Sequence, residues 1–595
     1  MREYTTPGET EVSPEENLTD AIWSSAASNP TRPALAHRVG DRFVEWSTQQ
    51  FAEEIAAVAK GLMALGVGKG DKVCLYSSTR IEWTVLDFAI WAAGGITVPI
   101  YETSSAEQVE WIASNSEAVA LIAENAELKA EYDSVADNLP ACKHVYVLDD
   151  GGLEEIKQQG GDISDDDVRE RASSVVGSDV ATIVYTSGTT GRPKGCVITH
   201  TNFVWDATQI ETALPEFLRP GESTLLFLPL AHIFARVIQT SCIRSGVLLG
   251  FSTGVPQLLE ELKIFQPNFL IAVPRVFEKV FNGAQQKAHA EGKGKIFDKA
   301  AAVAEDFSRQ NRAGKVRLGT KVAHGLFDKL VYSKLRDAMG GNVRVAVSGG
   351  AALGERLGHF FDGIGVPILE GYGLTETTAG ASINTPSALR IGSIGKPLPG
   401  ASARVADDGE ILLKGGHIFQ GYYKNDEATA EVLDDDGWFH TGDLGTLDGE
   451  GFLRITGRKK EILVTAGGKN VAPAVLEDRM RAHALVSQAM VVGDGQPFIA
   501  ALVTLDAEAL PTWAEANEKS GSTIAELKDD PDVIAAVEAA VEDANKAVSK
   551  AESIRTFRIL PEDFEIGEEL TPTLKVKRNV VAERYQDVID EIYAS

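Results

Sequence analysis

The chain has 595 residues, with 86 acidic against 57 basic side chains, so its formal net charge is −29. A chain of this length exceeds what a single hydrophobic core can organise, and it predicts several domains or subdomains. The negative balance argues against a nucleic-acid backbone or an anionic membrane as the main partner, although a local basic patch could still serve a phosphorylated cofactor.

The cysteines and the apolar runs indicate the kind of compartment. The four cysteines form no CxxC pair and no zinc-type spacing, which is typical of a reducing environment; they are Cys74, Cys142, Cys196 and Cys242. Residues 1–20 are acidic and polar and do not resemble a signal peptide. The longest apolar run, residues 88–98, is shorter than the ~20 residues that span a bilayer, and its two glycines favour a core helix running into a strand. We expect a cytoplasmic protein without a transmembrane segment.

Helical and strand patterns alternate through most of the first 400 residues. An amphipathic helix is predicted over residues 46–65, where Phe51, Ile55, Val58 and Leu62 share one face. Buried strands are predicted at Lys72–Tyr76, Val119–Ile122, His144–Leu148, Ser178–Tyr185, Cys196–Thr199 and Val343–Ser348. This alternation predicts an α/β domain with largely parallel sheets.

The pattern changes after about residue 390. Short strands are separated by glycine and proline turns, and Asp448-Gly449 between apolar runs is typical of a hairpin. We therefore predict a small antiparallel β subdomain. A mixed α/β pattern returns after Lys460, and the acidic, alanine-rich residues 506–552 predict exposed helices.

A glycine-rich loop follows the predicted strand Ser178–Tyr185. The string YTSGTTGRPKG, Tyr185 to Gly195, can turn backbone N–H groups towards phosphate oxygens, and its hydroxyls and Lys194 add donors and charge. A Walker A loop requires GK followed by Ser or Thr, whereas Lys194 is followed by Gly195, so a P-loop NTPase is excluded. A solvated polar turn without a ligand is the alternative.

Two further strings carry residues suited to a nucleotide. In GGAAL, residues 349–353, glycines would let the backbone approach a flat ligand, or would simply form a strand-to-helix turn. In EGYGLTET, residues 370–377, Tyr372 can stack on a base and Thr375 can donate to a phosphate. Glu376 in the same string is a hard oxygen ligand suited to Mg²⁺. Ordinary packing is the alternative for Tyr372.

Three more strings complete the candidate set. In WFHTGD, Asp443 can accept two ribose hydroxyls or form an Asx-type turn. In LPLAHIFAR, His232 is a lone histidine among apolar residues, which is more often structural than catalytic. ELTPTLKVKR, Glu569 to Arg578, is a cationic cluster in an acidic chain, and a solvated basic strand is its alternative reading.

Together these strings resemble the signatures of the adenylate-forming (AMP-binding) superfamily, and in particular its long-chain fatty acid–CoA ligases. The resemblance runs from about residue 20 to 590. It implies an α/β fold with a large N-terminal adenylation domain, residues 1–458, built from two α/β subdomains plus a β subdomain. A small mobile C-terminal α+β domain, residues 459–595, would carry the catalytic lysine. Lys460 would be the hinge, where much of the superfamily has an acidic residue.

The resemblance also implies roles for individual residues. The ATP/AMP-binding set would be Thr186, Ser187, Gly188, Thr189, Thr190, Gly191, Gly349, Gly350, Ala351, Glu370, Gly371, Tyr372, Gly373, Thr375, Asp443, Arg458 and Lys575. The catalytic set would be Lys194, Thr375, Glu376 and Lys575, with Lys577 as the alternative to Lys575. Thr186 and Glu376 would hold Mg²⁺, His232 and Ile233 would line the acyl pocket, and Gly467, Gly468 and Lys469 would line the approach of CoA.

The implied reaction is ATP-dependent conversion of a long-chain fatty acid to acyl-AMP with release of pyrophosphate, followed by transfer to CoA. ATP, Mg²⁺ and CoA are the implied cofactors and cosubstrates, and no nucleic-acid partner is expected. The alternatives are a fatty acyl-AMP ligase that serves a carrier protein, a noncatalytic acyl- or nucleotide-binding module, and a luciferase-type oxygenase side activity. Intact Lys194, Glu376, Asp443 and Lys575 disfavour the noncatalytic reading. Chain length, oligomeric state and transient membrane contact stay open.

Overall fold

The computed structural model describes residues 2–8, 10–186, 192–519, 521, 523–571 and 574–594. The predicted loop residues Ser187, Gly188, Thr189, Thr190 and Gly191 lie outside this described part. Within it, the chain forms helices and six sheets, which confirms the predicted mixed α/β class. None of the described helices is both long enough and apolar enough to cross a membrane.

Two sheets that contain runs of parallel strands carry most of the predicted motifs. In spatial order the first consists of His144–Val147, Ala120–Ala123, Lys72–Tyr76, Ile96–Ile100, Val180–Thr186, Lys194–Thr199 and Gly421–Tyr422, of which the last two pairings are antiparallel. The second consists of Phe269–Ala272, Val345–Ser348, Ile368–Tyr372, Ser382–Ile383 and Lys396–Pro397, and its first three strands are parallel. Both sheets are buried by helices, as parallel sheets usually are.

A third sheet lies in the same large core. It consists of Ser223–Leu226, Leu248–Phe251, Pro33–Val39 and Arg42–Ser47, with only the last pair antiparallel. The helices around these three sheets are Asp20–Ser28, Thr48–Ala64, Ile81–Ala92, Ala106–Ser116, Ala126–Asp133, Gly152–Gln159, Asp165–Ser173, His200–Ala213, Ile233–Ser245, Leu258–Phe265, Pro274–Ala290, Gly294–Arg312, Leu318–Phe327, Ser333–Ala338 and Glu355–Gly363.

The predicted antiparallel β subdomain is present. Its strands are Arg2–Thr5, Ser402–Val405, Glu410–Lys414, Phe439–Leu447 and Leu453–Arg458. The predicted hairpin at Asp448 is confirmed, and its connection is five residues long, with the positive φ of +92° at Gly451. The edge strand Arg2–Thr5 has no counterpart in our sequence prediction, because its polar composition carries no strand signal.

The C-terminal residues have a core of their own. A three-stranded sheet, Val486–Val492, Ile499–Leu505 and Ile554–Ile559, follows a short ribbon of Leu463–Val464 and Asn470–Val471. The helices here are Pro473–Arg481, Leu510–Ala516, Ile524–Leu527, Pro531–Asn545, Arg578–Arg584 and Gln586–Ala594, and Asp426–Val432 precedes them beside the β subdomain. The buried side chains of residues 471–554 cluster separately from the main core.

Two sequence predictions show how pattern and packing relate. The predicted helix over 46–65 is Thr48–Ala64, begins at a Ser47 capping box, and buries Phe51, Ile55, Val58 and Leu62 as expected. The prediction that residues 506–552 form exposed helices is wrong for the longest helix. Helix Pro531–Asn545 buries Val533, Val537 and Val541, because these valines at spacings of four form one apolar stripe within an acidic composition.

Candidate active site

The predicted motifs surround one cavity of about 760 Å³. Its wall contains most of the described residues that the sequence singled out: Thr186, Lys194, His232, Ile233, Gly349, Gly350, Gly371, Tyr372, Gly373, Thr375, Glu376, Arg458, Lys460 and Lys575. Ala351, Glu370, Asp443, Gly467, Gly468 and Lys469 are described but do not line it. Residues far apart in sequence are therefore brought together, as a single active site requires.

Thr186 and Lys194 flank the glycine-rich loop at its base. They are directly paired in the antiparallel ladder between Val180–Thr186 and Lys194–Thr199. This pairing places a hydroxyl and an ammonium group side by side where the chain enters and leaves the loop. Both residues line the cavity.

Glu376 lies in the short helical turn Thr375–Thr377 and is held by a tyrosine that the sequence reading missed. The hydroxyl of Tyr422 donates to Oε1 of Glu376 over 2.8 Å, and Nζ of Lys194 lies 5.0 Å from the centroid of the same ring. Burial, followed by the charge of Glu376, raises the pKa of Tyr422, so its hydroxyl remains a donor. Tyr422 belongs to a two-residue strand whose composition carries no functional signal.

The residues at this point fit Mg²⁺. Glu376 offers a carboxylate and Thr186 a hydroxyl, and Mg²⁺ in nucleotide sites is usually held by one or two carboxylates together with phosphate oxygens. Within the described part of the chain, no group of three or more His, Cys, Asp or Glu side chains is arranged to hold a metal. Substrate oxygens would therefore complete the coordination.

The loop that carries Thr375 and Glu376 has a tightly constrained backbone. A Cβ on Gly373 would lie 1.6 Å from the carbonyl oxygen of Ala379, so only glycine fits there. The φ angle of Ala379 is +77°, and the amide of Gly380 donates to Oδ2 of buried Asp206 over 3.1 Å. These contacts stabilise one loop conformation and fix where Thr375 and Glu376 face the cavity.

Asp443 is engaged on both carboxylate oxygens. Nε of Arg458 donates to Oδ1 over 2.8 Å, and the hydroxyl of Tyr372 donates to Oδ2 over 2.5 Å. Burial and the neighbouring Asp443 raise the pKa of Tyr372. The three predicted nucleotide residues thus form one cluster, in which Tyr372 orients Asp443 through its hydroxyl while its side chain lines the cavity.

Glu370, one of the predicted nucleotide-binding residues, has a supporting position. Glu370 is buried, and its Oε1 accepts a hydrogen bond from the amide of Leu353 over 3.2 Å. Burial raises the pKa of Glu370. The contact stabilises the turn that follows Val345–Ser348, where Gly350 has a φ of +83°. Glu370 therefore supports the predicted adenine wall from behind.

The structure distinguishes the two candidate lysines. Lys575 lines the cavity, and its side chain is exposed to the open space inside it. Protein atoms surround the side chain on most other sides. Desolvation, followed by the charge of Arg458, lowers the pKa of Lys575. Lys577 does not line the cavity, and its Nζ donates to the carbonyl of Gly567 over 2.6 Å. Lys575 is the lysine positioned to reach a ligand, and its catalytic role remains a prediction.

Part of the cavity wall is apolar, and we call this part the apolar arm. It lies between the helices His200–Ala213 and Ile233–Ser245 and two strands of the second sheet, and it is lined by Ile210, Leu214, Phe217, Leu218, Ile233, Phe234, Val237, Ile238, Phe269, Ile271, Val345 and Val347. His232 also lines the cavity, and its Nδ1 accepts from the amide of Phe234 over 3.1 Å and caps the helix Ile233–Ser245. Burial lowers the pKa of His232 to about 3, so the ring is neutral and its observed role is structural.

Comparison with known proteins identifies the family. Residues 22–423 match the family model described as AMP-binding enzyme, and residues 460–595 match the one described as AMP-binding enzyme C-terminal domain. The chain belongs to the AMP-binding enzyme family. Among curated relatives, Long-chain-fatty-acid–CoA ligase FadD15 of Mycobacterium bovis is 49% identical over 100% of both chains. Long-chain-fatty-acid–CoA ligase ACSBG2 of Xenopus laevis is 33% identical over 94% of this chain and 81% of its own.

Solved structures share the fold of this AMP-binding enzyme. The A domain of carboxylic acid reductase from Segniliparus rugosus, in complex with AMP and a co-purified carboxylic acid, has a TM-score of 0.75 at 20% identity, covering 98% of this chain and 95% of that one. The anthranilate CoA ligase AuaEII, in complex with anthranoyl-AMP, has a TM-score of 0.70 at 21% identity, covering 96% and 98%. At these identities the likeness establishes the fold.

A buried polar network in this AMP-binding enzyme was not anticipated. Arg236, on the helix that lines the apolar arm, pairs with Asp87, and both side chains are fully buried. Nη1 of Arg236 also donates to Thr182 over 2.6 Å. Thr182 lies four positions before Thr186 on the same strand, so the network connects the wall of the apolar arm to the base of the glycine-rich loop. The pairing depends on tertiary packing and leaves no local sequence signal.

The C-terminal residues dock against the helix Pro274–Ala290. Arg275 pairs with Asp506 over 2.7 Å and Lys279 with Glu508 over 2.9 Å. Lys460 lies in the helical turn Lys459–Glu461 and lines the cavity. In this arrangement Lys575 faces the cavity, whereas Gly467, Gly468 and Lys469 form an exposed turn away from it, and Lys469 pairs with Glu552 over 3.2 Å.

Proposed function

We propose that this chain is an AMP-forming long-chain fatty acid–CoA ligase. The observation that carries the proposal is that one cavity joins a polar wall, with Thr375, Glu376 and Lys575, to an extended apolar arm. A polar end suited to ATP and an apolar end suited to an acyl chain meet where a carboxylate would react. Full-length relatives named as long-chain fatty acid–CoA ligases support the acyl class.

In the first step a carboxylate oxygen of the fatty acid attacks the α-phosphorus of ATP. A P–O bond forms, the bond to the β-phosphate oxygen breaks, and pyrophosphate leaves with the electron pair. Two anions must approach each other, so we assign Thr375 as a donor to the α-phosphate and Lys194 and Lys575 as cations that stabilise the developing charge. Thr186 and Glu376 would hold Mg²⁺, which when bound supplies further positive charge beside the phosphates.

The remaining polar residues position the nucleotide. Asp443, oriented by Arg458 and Tyr372, would accept the ribose hydroxyls. Gly349, Gly350 and Ala351 would line the adenine, and Glu370 would support that turn through Leu353. The loop residues 187–191 remain assigned to phosphate binding by their sequence alone.

In the second step the CoA thiol gives up its proton and attacks the acyl-AMP carbonyl, a thioester C–S bond forms, and the C–O bond to the phosphate breaks so that AMP leaves with the electron pair. We propose that residues 459–595 rotate about Lys460 between the two steps, relative to residues 1–458. Lys575 would then leave the cavity, and Gly467, Gly468 and Lys469 would line the thiol's approach. Separate buried clusters in the two parts support such a rigid-body motion.

We also propose a cytoplasmic location, because all four cysteines are free thiols. The experiment that tests the function is AMP release from ATP with palmitate, with and without CoA. Turnover that depends on CoA is expected, and a chain-length series would then measure the capacity of the apolar arm. Slow AMP formation that ignores CoA would instead indicate an acyl-AMP ligase that serves a carrier protein.

A further inference from the structure

An apolar strip lies exposed on the surface, distant in sequence from every catalytic motif. Helix Leu318–Phe327 and the π-helical turn Asp328–Tyr332 carry Leu318, Val322, Leu326 and Leu330 at spacings of four. These side chains are 78%, 68%, 58% and 49% exposed, respectively. We call these four residues the apolar strip. Contiguous exposed apolar side chains on one helical face are typical of interaction surfaces in soluble proteins.

The segment already packs against the main core through its opposite side, so the apolar strip is not the face that holds the helix to the protein. Phe327 and Tyr332 are buried in the main core, and the Tyr332 hydroxyl donates to the carbonyl of Ala300 over 2.7 Å. His324 stacks on Phe307 with ring centroids 3.9 Å apart. The helix therefore already buries one apolar face and presents a second to solvent.

The charge around the strip has the opposite sign to that of the whole chain. Residues 313–334 contain five basic side chains, Lys315, Arg317, Lys321, Lys329 and Lys334, and one acidic side chain, Asp328. Asp328 is already paired with Arg336 over 2.8 Å, and Arg317 lies 3.5 Å from Asp306 of the preceding helix. Within the described residues, Lys315, Lys321 and Lys329 have no acidic group within ion-pair distance. The segment thus has a net charge of +4, five minus one, in a chain of −29.

We propose that this segment docks the protein onto an anionic lipid surface, with the helix lying in the membrane plane. The apolar strip would enter the boundary between headgroups and acyl chains, and the flanking lysines would lie among lipid phosphates. The acidic remainder of the protein would be repelled by the same surface, so the charge asymmetry selects this face. The whole-chain charge argument against an anionic membrane therefore does not hold for this segment.

The position of the segment in the fold links the proposed docking to the apolar arm of the cavity. It belongs to the long connection between Phe269–Ala272 and Val345–Ser348, and both strands contribute side chains to the apolar arm. Docking would place this lobe of the protein beside a bilayer, where long acyl chains are dissolved. The proposal concerns a surface outside the active site and does not depend on the ligase activity.

The test is co-sedimentation of the full chain with vesicles of phosphatidylglycerol and phosphatidylcholine, compared with phosphatidylcholine alone. Binding to the anionic vesicles is expected, and it should weaken with added salt. The triple variant Leu318→Gln/Val322→Gln/Leu326→Gln should lower the partition coefficient roughly tenfold or more, because the strip supplies the buried area. Lys321→Gln/Lys329→Gln should lower it by a similar factor and weaken the salt dependence, because two of the five basic side chains are removed.

Matched controls use exposed residues elsewhere. Leu259→Gln, on helix Leu258–Phe265, and Lys546→Gln/Lys550→Gln, near the end of helix Pro531–Asn545, should bind like the wild type. All variants should keep wild-type activity on a soluble medium-chain acid, which also shows that they fold. No binding to anionic vesicles, or equal binding by the triple variant, would overturn the proposal. Dimerisation that the triple variant abolishes, without vesicle binding, would reassign the strip to a second copy of the chain.

Discussion

Tyr422 donates a hydrogen bond to Glu376 while its ring lies beneath the ammonium of Lys194. One aromatic side chain therefore contacts both the carboxylate that we assign to Mg²⁺ and a cation that we assign to the phosphates. Losing a group that orients a metal-binding carboxylate typically lowers metal affinity or activity by roughly 10–100-fold.

We predict that Tyr422→Phe raises the Mg²⁺ concentration needed for half-maximal adenylation by about tenfold, because Glu376 loses its orienting donor. The measurement is ATP–pyrophosphate exchange across a Mg²⁺ titration. Tyr423→Phe is the matched control, since Tyr423 is the next residue along the chain and does not line the cavity. An unchanged Mg²⁺ dependence in Tyr422→Phe would remove this residue from the site.

Lys575 and Lys577 provide a paired test of the catalytic lysine. Lys575→Ala should lower acyl-AMP formation by ~10²–10³ while ATP binding persists, which is the usual cost of removing one well-aimed donor. Lys577→Ala should have a small effect, because its ammonium bonds Gly567 outside the cavity. Pyrophosphate exchange together with direct ATP binding separates the two steps, and retained exchange in Lys575→Ala would refute the assignment.

The pH dependence of adenylation should report on the same lysine. Burial and Arg458 lower the pKa of Lys575, so its positive charge is lost as the pH rises, and at a lower pH than for an ordinary lysine. We predict an alkaline decline of pyrophosphate exchange that begins below the usual lysine range. Lys575→Arg should shift this decline upward or abolish it, because the guanidinium stays charged. If Lys575→Arg shows the same alkaline decline as the wild type, the decline reports the titration of another group.

The ion pair between Arg275 and Asp506 should favour the arrangement in which Lys575 faces the cavity. Arg275→Ala is expected to slow adenylation about twofold to fivefold, a typical effect of losing one pair, and to spare the reaction of preformed acyl-AMP with CoA. The charge-swapped variant Arg275→Asp/Asp506→Arg should recover part of the loss. Both half reactions can be measured separately by rapid quench, and equal losses in the two would argue against a selective role.

His417 should contribute to acid sensitivity. Its ring is buried, stacks on Trp205, and has no hydrogen-bond partner on either nitrogen among the described residues. Burial lowers its pKa to about 3, below the ordinary 6.5, so the unfolded chain binds a proton that the folded chain excludes. The part of the folding stability that is linked to His417 is therefore fully present above about pH 6.5, and it is lost as the pH falls towards 3.

We predict that His417→Phe keeps or raises the melting temperature at pH 7.5 and reduces its fall between pH 7.5 and 5. The phenyl ring can keep the stacking on Trp205 and does not titrate. Scanning calorimetry at the two pH values measures the difference. A wild-type loss of stability that Phe does not reduce would show that other groups, such as buried His200, dominate.

Short motifs were sufficient to predict most of the polar wall. The structure brings five predicted residues to one cavity from strand ends and turns: Thr186, Lys194, Glu376, Arg458 and Lys575. Their nucleotide roles stay predictions. The fold class also followed from alternating patterns, because buried parallel strands and amphipathic helices have distinct periods.

The parts that the sequence did not predict depend on long-range packing. Tyr422 acts through a contact with Glu376, 46 positions away, and Arg236 pairs with Asp87 across 149 positions. Neither residue differs locally from an ordinary core or loop residue. The edge strand Arg2–Thr5 acquires its structure only by pairing with Ser402–Val405. The apolar strip became visible only when exposure was known, because its spacing is also that of a buried helix face.

The most direct test of the account is to trap the intermediate. Enzyme mixed with α-labelled ATP and palmitate in the absence of CoA should accumulate enzyme-bound palmitoyl-AMP, and added CoA should convert it to palmitoyl-CoA and AMP. The Lys575→Ala variant should form far less of the intermediate yet still convert supplied palmitoyl-AMP. Palmitoyl-CoA formed without any acyl-AMP, or acyl-AMP that CoA never consumes, would contradict the proposed two-step reaction.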